Sequence, residues 1–433
     1  MDWKTEYKPL LWIAGIFMAV WIMPLEVPLF KEALYSAFEL TRWYAREHVL
    51  LCLVPAFFIA GVIAVFVSRE AVITYLGAGA KKWISYAVAS VSGTVLAVCS
   101  CTILPLFSGI YKRGAGLGPA VTFLYSGPAI NIMAIILTAR VLGFELGVAR
   151  IVGAVVFSVV IGLIMHFIYR HEETAKAADQ FALPPGRENR PFGQTAFHFF
   201  VLVFILVFAT WGRPTTDSGL WTLIFELKWF ITGTLGLLLA FSLIYILKLK
   251  IRHVTLAVSA VLAVILIWPG NVVAPFITAV IALSAVLSLG SDESREWMTE
   301  TWGFAKQILP LLAAGVLVAG FLLGSPLGGH GIIPDEWISS LVGGNSFSAN
   351  FFASVVGSLM YFATLTEIPI LQGLINAGMG KGPALALLLA GPALSLPNML
   401  VIRGVIGTQK TVVYVLLVII MATISGLIYG AVI

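Results

Sequence analysis

The sequence predicts an all-α polytopic membrane protein made of two repeats, with re-entrant or broken helices that meet near the middle of the bilayer. Three observations support this fold class. Of the 433 residues, 60% are hydrophobic and 11% are charged, whereas a soluble domain carries about 25% charged residues. Apolar runs of about 18 residues or more recur along the chain. Finally, a segment at 105–129 recurs at 369–393, with its glycines and prolines in register.

The apolar runs predict membrane spans. The first follows Lys4 and Lys8 and lacks a small-x-small cleavage site, so we expect it to remain as an uncleaved span. Two further apolar segments, 84–112 and 350–376, are interrupted by proline. The candidate spans lie at 9–25, 49–68, 117–139, 147–169, 196–211, 221–247, 253–268, 271–289, 306–323, 382–402 and 411–431.

Polar stretches between these spans predict the domain organisation. The division comprises an N-terminal span and interfacial segment (1–44), a first core repeat (45–168), a polar cytoplasmic linker (169–195), inserted middle spans (196–300) and a second core repeat (301–433).

The internal repeat is the strongest organisational signal. "PLFSGIYKRGAGLGPAVTFLYSGPA" (105–129) aligns without a gap to "PILQGLINAGMGKGPALALLLAGPA" (369–393), and every glycine and proline of the first copy falls on a glycine or proline of the second. Helix propensity alone does not place helix-breaking residues so regularly.

Positive charge favours an inverted arrangement of the repeats. Arg69, Lys81, Lys82, Lys112, Arg113 and the linker all fall on the cytoplasmic side, with the N-terminus, if 84–112 enters the membrane and returns. The stretch 84–98 forms only about 22 Å of helix, which is too short to cross. If 84–112 and 350–376 instead cross as kinked helices, the repeats are parallel.

The matched breaks predict a central site. Proline removes a helical hydrogen bond and leaves a carbonyl unpaired. Such backbone is tolerated at membrane depth only inside protein or beside a wet cavity; ordinary helix kinks are the alternative. The predicted helix-break residues are Pro105, Gly127, Pro128, Pro369, Gly391 and Pro392.

Different side chains at the two sets of breaks predict one asymmetric substrate site. Cys99 and Cys101 would converge in an unwound turn, and thiolates select soft ions such as Cu(I), Zn(II) or trivalent arsenic. We therefore predict both as metal or metalloid ligands; simple packing or a redox role are the alternatives. The substrate-binding candidates are Cys99, Ser100, Cys101, Thr102, Asn131, Thr364, Thr366, Glu367, Ser395 and Asn398.

Glu367 is the most informative acid, because a carboxylate inside a span is functional by default. Burial disfavours the ionised form, so Glu367 is a candidate for proton coupling or for a counter-charge. The alternative is a structural partner for a helix end. Arg140 and Arg403 lie at predicted helix ends and are interpreted as interfacial anchors.

Several function classes are excluded by missing motifs. The sequence contains no nucleic-acid-binding motif, and "GAGAKK" and "GMGKGP" lack the P-loop pattern. We expect no ATPase domain in this chain, no enzymatic activity and no cofactor. The expected partners are a small-molecule or ion substrate and the lipid bilayer, and a homo-oligomer is compatible with the sequence.

Two segments resemble a known family. "VCSCTILPLFSGIYKRGAGLGPAVTFLYSGPAIN" (98–131) resembles the ArsP/YraQ type of predicted permeases, and "GKGPALALLLAGPALSLPN" (380–398) resembles the matching second-half segment of that family. The resemblance covers 45–168 and 300–431. It implies a multi-pass permease of the cell (inner) membrane and makes Cys99 and Cys101 candidate ligands.

The resemblance also bears on the substrate. The family includes members implicated in efflux of trivalent organoarsenicals, in which cysteines bind arsenic, and members linked to copper or zinc. This chain has Thr364 and Thr366 with Glu367 where a second cysteine pair would stand, so the resemblance does not carry a three-thiol arsenic site over to it. The resulting hypothesis is export of a soft metal or metalloid by ion-coupled alternating access, as in arsenic resistance. A permease for a sulfur-containing or other small solute and a membrane thiol oxidoreductase remain alternatives.

Overall fold

The structure is a computed structural model that describes residues 3–66, 76–77, 80–96, 100–130, 132–181, 191–211, 220–325, 331–332, 341–360, 367–376 and 378–433. Across these ranges the regular structure is helical, and the β-type pairing is an isolated bridge between Gly343 and Met379. The all-α prediction is confirmed.

The helices follow the predicted apolar segments closely. Their bounds are α1 (Trp3–Ile22), α2 (Pro28–Tyr44), a π-helical stretch (Ala45–Leu53), α3 (Val54–Phe66), α4 (Lys82–Leu96), α5 (Ser100–Lys112), α6 (Leu117–Ala129), α7 (Ile132–Val141), α8 (Phe144–Phe181), α9 (Phe192–Ala209), α10 (Leu220–Tyr245), α11 (Ile251–Ile267), α12 (Val273–Ser288), α13 (Asp292–Leu323), α14 (Phe347–Leu359), α15 (Glu367–Asn376), α16 (Lys381–Ala390), α17 (Leu396–Ile406) and α18 (Thr408–Val432).

Several helices are long and apolar enough to cross a membrane. In the described part of the chain these are Pro28–Phe66, Phe144–Glu173, Thr222–Tyr245, Asp292–Leu322 and Thr408–Val432. Only 11% of the apolar window of Thr222–Tyr245 is buried inside the protein. A helix that is apolar on all sides and exposed on most of them suits a lipid environment, so the protein is a multi-pass membrane protein.

Three boundaries differ from the sequence-based expectation. Helix α2 continues through the π-helical stretch into α3, across the boundary predicted at residue 44. Helix α8 runs on to Phe181, so the first part of the predicted linker is helical. Helix α13 begins at Asp292, where Ser291 caps it by accepting a hydrogen bond from the Ser294 N–H.

The two halves have corresponding helices. Helices α6, α7 and α8 begin 264 residues before α16, α17 and α18 respectively. In the first half α4 packs on α6, which packs on α8; in the second half α14 packs on α16, which packs on α18. Across the halves, α7 contacts α15 and α5 contacts α17.

Helices α4 and α5 form a hairpin that returns to its starting side. The Glu173 carboxylate, in α8, accepts hydrogen bonds from the Leu117 N–H (2.9 Å) and the Tyr111 hydroxyl (3.2 Å), so α5 ends and α6 begins at this end of α8. Near the start of α4, Tyr86 donates to the Gly162 carbonyl of the same helix (3.3 Å). The start of α4 and the end of α5 therefore both pack against the second half of α8.

The corresponding helices run in opposite directions. Lys410, at the start of α18, lies 2.8 Å from Glu172 and 3.8 Å from Glu173, which follow the apolar part of α8. Lys381, at the start of α16, lies 3.9 Å from Glu145, at the start of α8. Helices α8 and α18 are therefore antiparallel, and α6 and α16 begin at opposite ends of the helix bundle.

Candidate functional site: a buried ion pair between broken helices

A buried ion pair joins the two halves of the protein. Arg150 Nη2, on α8, lies 2.7 Å from Glu367 Oε1, on the first residue of α15, and their side chains are 0% and 2% exposed. Placing two charges at this depth costs several kcal/mol per ion, and the cost is recovered only when the pair is well matched and additional hydrogen bonds are made. The remaining Arg150 donors show how this is achieved.

Arg150 also closes the break between α6 and α7. Its Nε donates to the carbonyl of Ala129, the last residue of α6 (3.1 Å), and its Nη1 donates to the Thr138 hydroxyl oxygen on α7 (2.9 Å). The last carbonyls of a helix lack helical partners, and unpaired backbone at membrane depth costs several kcal/mol. One guanidinium therefore connects both sides of a helix break to the second half of the protein.

The break between α16 and α17 is organised differently. Ser395, in an extended conformation, caps α17 through its hydroxyl, which accepts a hydrogen bond from the Asn398 N–H (3.3 Å). Both residues are buried. The Asn398 side-chain oxygen has no hydrogen-bond partner among the described residues, so a polar acceptor is left unpaired at this break.

Tyr125 connects the two halves directly. Its hydroxyl, on α6, donates to the Leu389 carbonyl on α16 (3.2 Å). Residues 125 and 389 occupy the same position in the two copies of the repeated segment. Tyr125 is fully buried, so this contact lies inside the helix bundle.

The structure places four of the substrate-binding candidates around these breaks. Thr102 is buried in the first turn of α5, Glu367 begins α15, and Ser395 and Asn398 lie at the start of α17. Ser100 begins α5 and Cys101 follows it, but their side chains lie outside the description. Cys99, Asn131, Thr364 and Thr366 also lie outside the described residues.

All six predicted helix-break residues lie in the described part of the chain. Pro105 is inside α5, and Pro369 belongs to α15. Gly127 and Pro128 belong to the last turn of α6. Gly391 caps α16, and Pro392 is in the turn that follows.

Arg150 was not predicted as a site residue. The available signal was a charge near the start of the predicted span 147–169, comparable to Arg140 and Arg403, which were interpreted as anchors. Arg403 does behave as a helix-end residue, since its Nε donates to the Thr408 hydroxyl (3.0 Å) at an exposed position. The identity of a partner for Arg150 could not be read from the sequence, because Glu367 belongs to the other half.

The described residues contain no group of three or more His, Cys, Asp or Glu side chains that could hold a metal ion. The side chains of the predicted ligand pair, Cys99 and Cys101, lie outside the part of the chain that the structure describes. Cys52, interpreted as a packing residue, is buried in the π-helical stretch.

Comparison with known proteins identifies the family. The ArsP_1 family, described as a predicted permease, matches residues 34–431. The UPF0718 protein MJ0584 of Methanocaldococcus jannaschii is 41% identical over 392 residues, covering 89% of this chain and 93% of that protein. The UPF0718 protein YraQ of Escherichia coli is 50% identical over 50 residues, covering 12% of this chain and 14% of that protein. No solved structure matches. With almost the whole chain covered, this protein belongs to the ArsP_1 family of predicted permeases.

Proposed function

We propose that this permease exports a soft metal or metalloid species, such as a trivalent arsenical, by ion-coupled alternating access across the cell (inner) membrane. The observation that carries the proposal is the Arg150–Glu367 ion pair, which ties a helix break of one half to the first residue of a broken helix in the other. Transporters built from inverted repeats place their substrate sites at such broken helices near the midplane.

The arrangement of the helices supports an inverted repeat. Corresponding helices share an offset of 264 residues, pack on corresponding neighbours and begin at opposite ends of the bundle. Tyr125 and its equivalent position Leu389 meet between the halves. In this scheme the two halves rock around the central breaks and expose the site to each side in turn.

The ion pair supplies a route to coupling. Because a guanidinium is the charged partner of this pair, neutralising Glu367 with a proton would leave a charge in the interior without its counter-charge. Removing one partner of a buried pair costs about 3–5 kcal/mol. Proton uptake at Glu367 would therefore favour a conformation in which Arg150 finds another partner or water, and this couples a proton to movement of the halves.

The predicted thiol ligands complete the proposal. Ser100 and Cys101 are the first two residues of α5, and Cys99 precedes them in the sequence. Thiolates select soft ions, which favours a soft metal or metalloid over a hard cation. The alternatives are a permease for a sulfur-containing or other small solute and a membrane thiol oxidoreductase that cycles the two cysteines.

The test uses inside-out membrane vesicles loaded with a pH gradient, in which uptake of trivalent arsenicals is measured. Cys101→Ser is expected to abolish uptake, while Cys52→Ser, a matched change in a buried cysteine away from the breaks, leaves it unchanged. Glu367→Gln is expected to remove the dependence on the gradient. Uptake by Cys101→Ser at the level of the parent protein would exclude the thiol role, and a mixed disulfide trapped at Cys101 would favour the oxidoreductase.

A further inference from the structure

The turn between α10 and α11 carries a cluster of exposed positive charges. Lys248, Lys250 and Arg252 are all exposed, whereas Leu247 and Leu249 are buried. This alternation places the leucines against the helix bundle and the charged side chains on the outside. The three basic residues are termed the basic turn.

Packing of Leu249 fixes the position of the basic turn. A Cβ atom at Gly290, in the turn between α12 and α13, would lie 2.6 Å from Leu249 Cδ2, so the two turns are in close contact. The Leu249 N–H also donates to the Leu243 carbonyl at the end of α10 (3.1 Å). The charges of the basic turn are therefore presented from a backbone that is anchored on both sides.

The described part of the protein offers no counter-charge to the basic turn. None of the ion pairs and side-chain hydrogen bonds among the described residues involves the side chain of Lys248, Lys250 or Arg252. The acid that begins α13 in the neighbouring turn, Asp292, lies 3.6 Å from Arg295 Nη1 of its own helix. The three charges are thus available to a partner outside the chain.

The backbone of Lys248 is in the left-handed region, with φ of 53°. A side chain with a Cβ atom is disfavoured in this conformation, whereas glycine adopts it readily. Unfavourable backbone conformations of this kind concentrate at ligand-binding and other functional sites. At this position the chain carries a long cationic side chain instead of the glycine that the backbone favours.

The basic turn lies at the level where the membrane meets water. Phe241 and Tyr245, in the last two turns of α10, are both exposed, and their ring centroids are 4.3 Å apart. Exposed aromatic side chains at the end of a membrane-spanning helix are typical of the lipid headgroup region. Helix α10 is the span whose apolar window is only 11% buried, and the basic turn follows it directly.

We propose that the basic turn binds the phosphate groups of anionic phospholipids. Lysine and arginine donate charge-assisted hydrogen bonds to phosphate oxygens, and a membrane surface rich in anionic lipid attracts basic residues, each of which strengthens binding about fivefold. The inserted middle helices would thereby attach the permease to anionic lipid. This inference does not depend on which species is transported.

The test uses the purified full-length protein in a non-ionic detergent, titrated with phosphatidylglycerol, and counts the retained lipid by native mass spectrometry. Phosphatidylcholine, which has no net charge, is the comparison lipid and should be retained less. Replacing all three basic residues by glutamine is expected to weaken phosphatidylglycerol retention about 100-fold, from about fivefold for each charge. Lys381→Gln, at an exposed lysine that pairs with Glu145, is the matched control and should retain the lipid as the parent does.

Lys248→Gly separates the charge from the fold. Because glycine suits the left-handed backbone, this variant is expected to melt at or above the temperature of the parent while its apparent affinity for phosphatidylglycerol falls about fivefold. A loss of affinity with unchanged or higher stability cannot come from unfolding, so it would support a direct role for the lysine.

Three outcomes would overturn the proposal. The first is equal retention of phosphatidylglycerol by the triple variant and the parent. The second is equal retention of phosphatidylglycerol and phosphatidylcholine by the parent, which would leave the basic residues with a role in topology alone. The third is displacement of phosphatidylglycerol by inorganic phosphate, which would assign the basic turn to a free anion.

Discussion

Replacing Arg150 by methionine tests whether the buried ion pair holds the two halves together. Methionine keeps much of the length of the side chain but removes the charge and all donors. Glu367 then remains buried without its counter-charge, which costs about 3–5 kcal/mol. The Ala129 carbonyl also loses its donor, at about 1–3 kcal/mol if no other partner replaces Arg150. We therefore expect Arg150→Met to lower the free energy of unfolding by several kcal/mol.

A double-mutant cycle separates the interaction energy of the Arg150–Glu367 pair from the other contacts of the two side chains. Glu367→Leu leaves the Arg150 guanidinium without its counter-charge and should lower the free energy of unfolding about as much as Arg150→Met does. The double variant removes both charges, and replacing a buried pair by apolar residues is often neutral or stabilising. The Ala129 carbonyl then loses its Arg150 donor, whereas the Thr138 hydroxyl keeps its hydrogen bond to the Ala134 carbonyl. The loss in the double variant should therefore be about 1–3 kcal/mol, well below the sum of the single losses.

The assay is the free energy of unfolding of the purified protein, measured by SDS titration in mixed micelles. Arg403→Met is the matched control, because Arg403 is exposed and its side chain donates to the Thr408 hydroxyl at the protein surface; we expect a change within about 0.5 kcal/mol. Additive losses in the double variant would refute the reasoning, since coupled residues in contact should show an interaction energy of about 0.5–3 kcal/mol.

Three further predictions concern the charges at the ends of the bundle and two glycines in helices. Lys410→Met removes a largely buried ammonium group that contacts two carboxylates, so it should destabilise the protein at both low and high salt. Lys381→Met removes an exposed ion pair that contributes less than about 1 kcal/mol. Equal losses of unfolding free energy in the two variants would contradict this ranking. Gly118→Ala places a methyl group against the Tyr86 hydroxyl and the α8 backbone and should cost about 1–3 kcal/mol. Gly233→Ala, in an open position of α10, should instead stabilise the protein by about 0.5–1 kcal/mol; a loss of stability there would indicate an unseen contact.

The predicted spans and the observed helices agree because apolar length is a local property. Glycine and proline act on their own backbone, so the sequence predicts breaks near them. Pro105 lies within α5 and Pro369 within α15, whereas α6 ends at Ala129 and α16 at Ala390, close to Pro128 and Pro392. A proline near a helix start loses little, so its presence marks the neighbourhood of a break without locating it.

The amino-acid sequence by itself determined the membrane class, the spans, the repeated segment and the acid at 367, because each depends on composition or on spacing along the chain. Only the tertiary structure decided what surrounds that acid. Arg150 and Glu367 belong to different halves, and the contact between them exists because α8 and α15 meet at the helix breaks. The same packing leaves the Tyr414 hydroxyl and the Asn398 side-chain oxygen buried with no hydrogen-bond partner among the described residues.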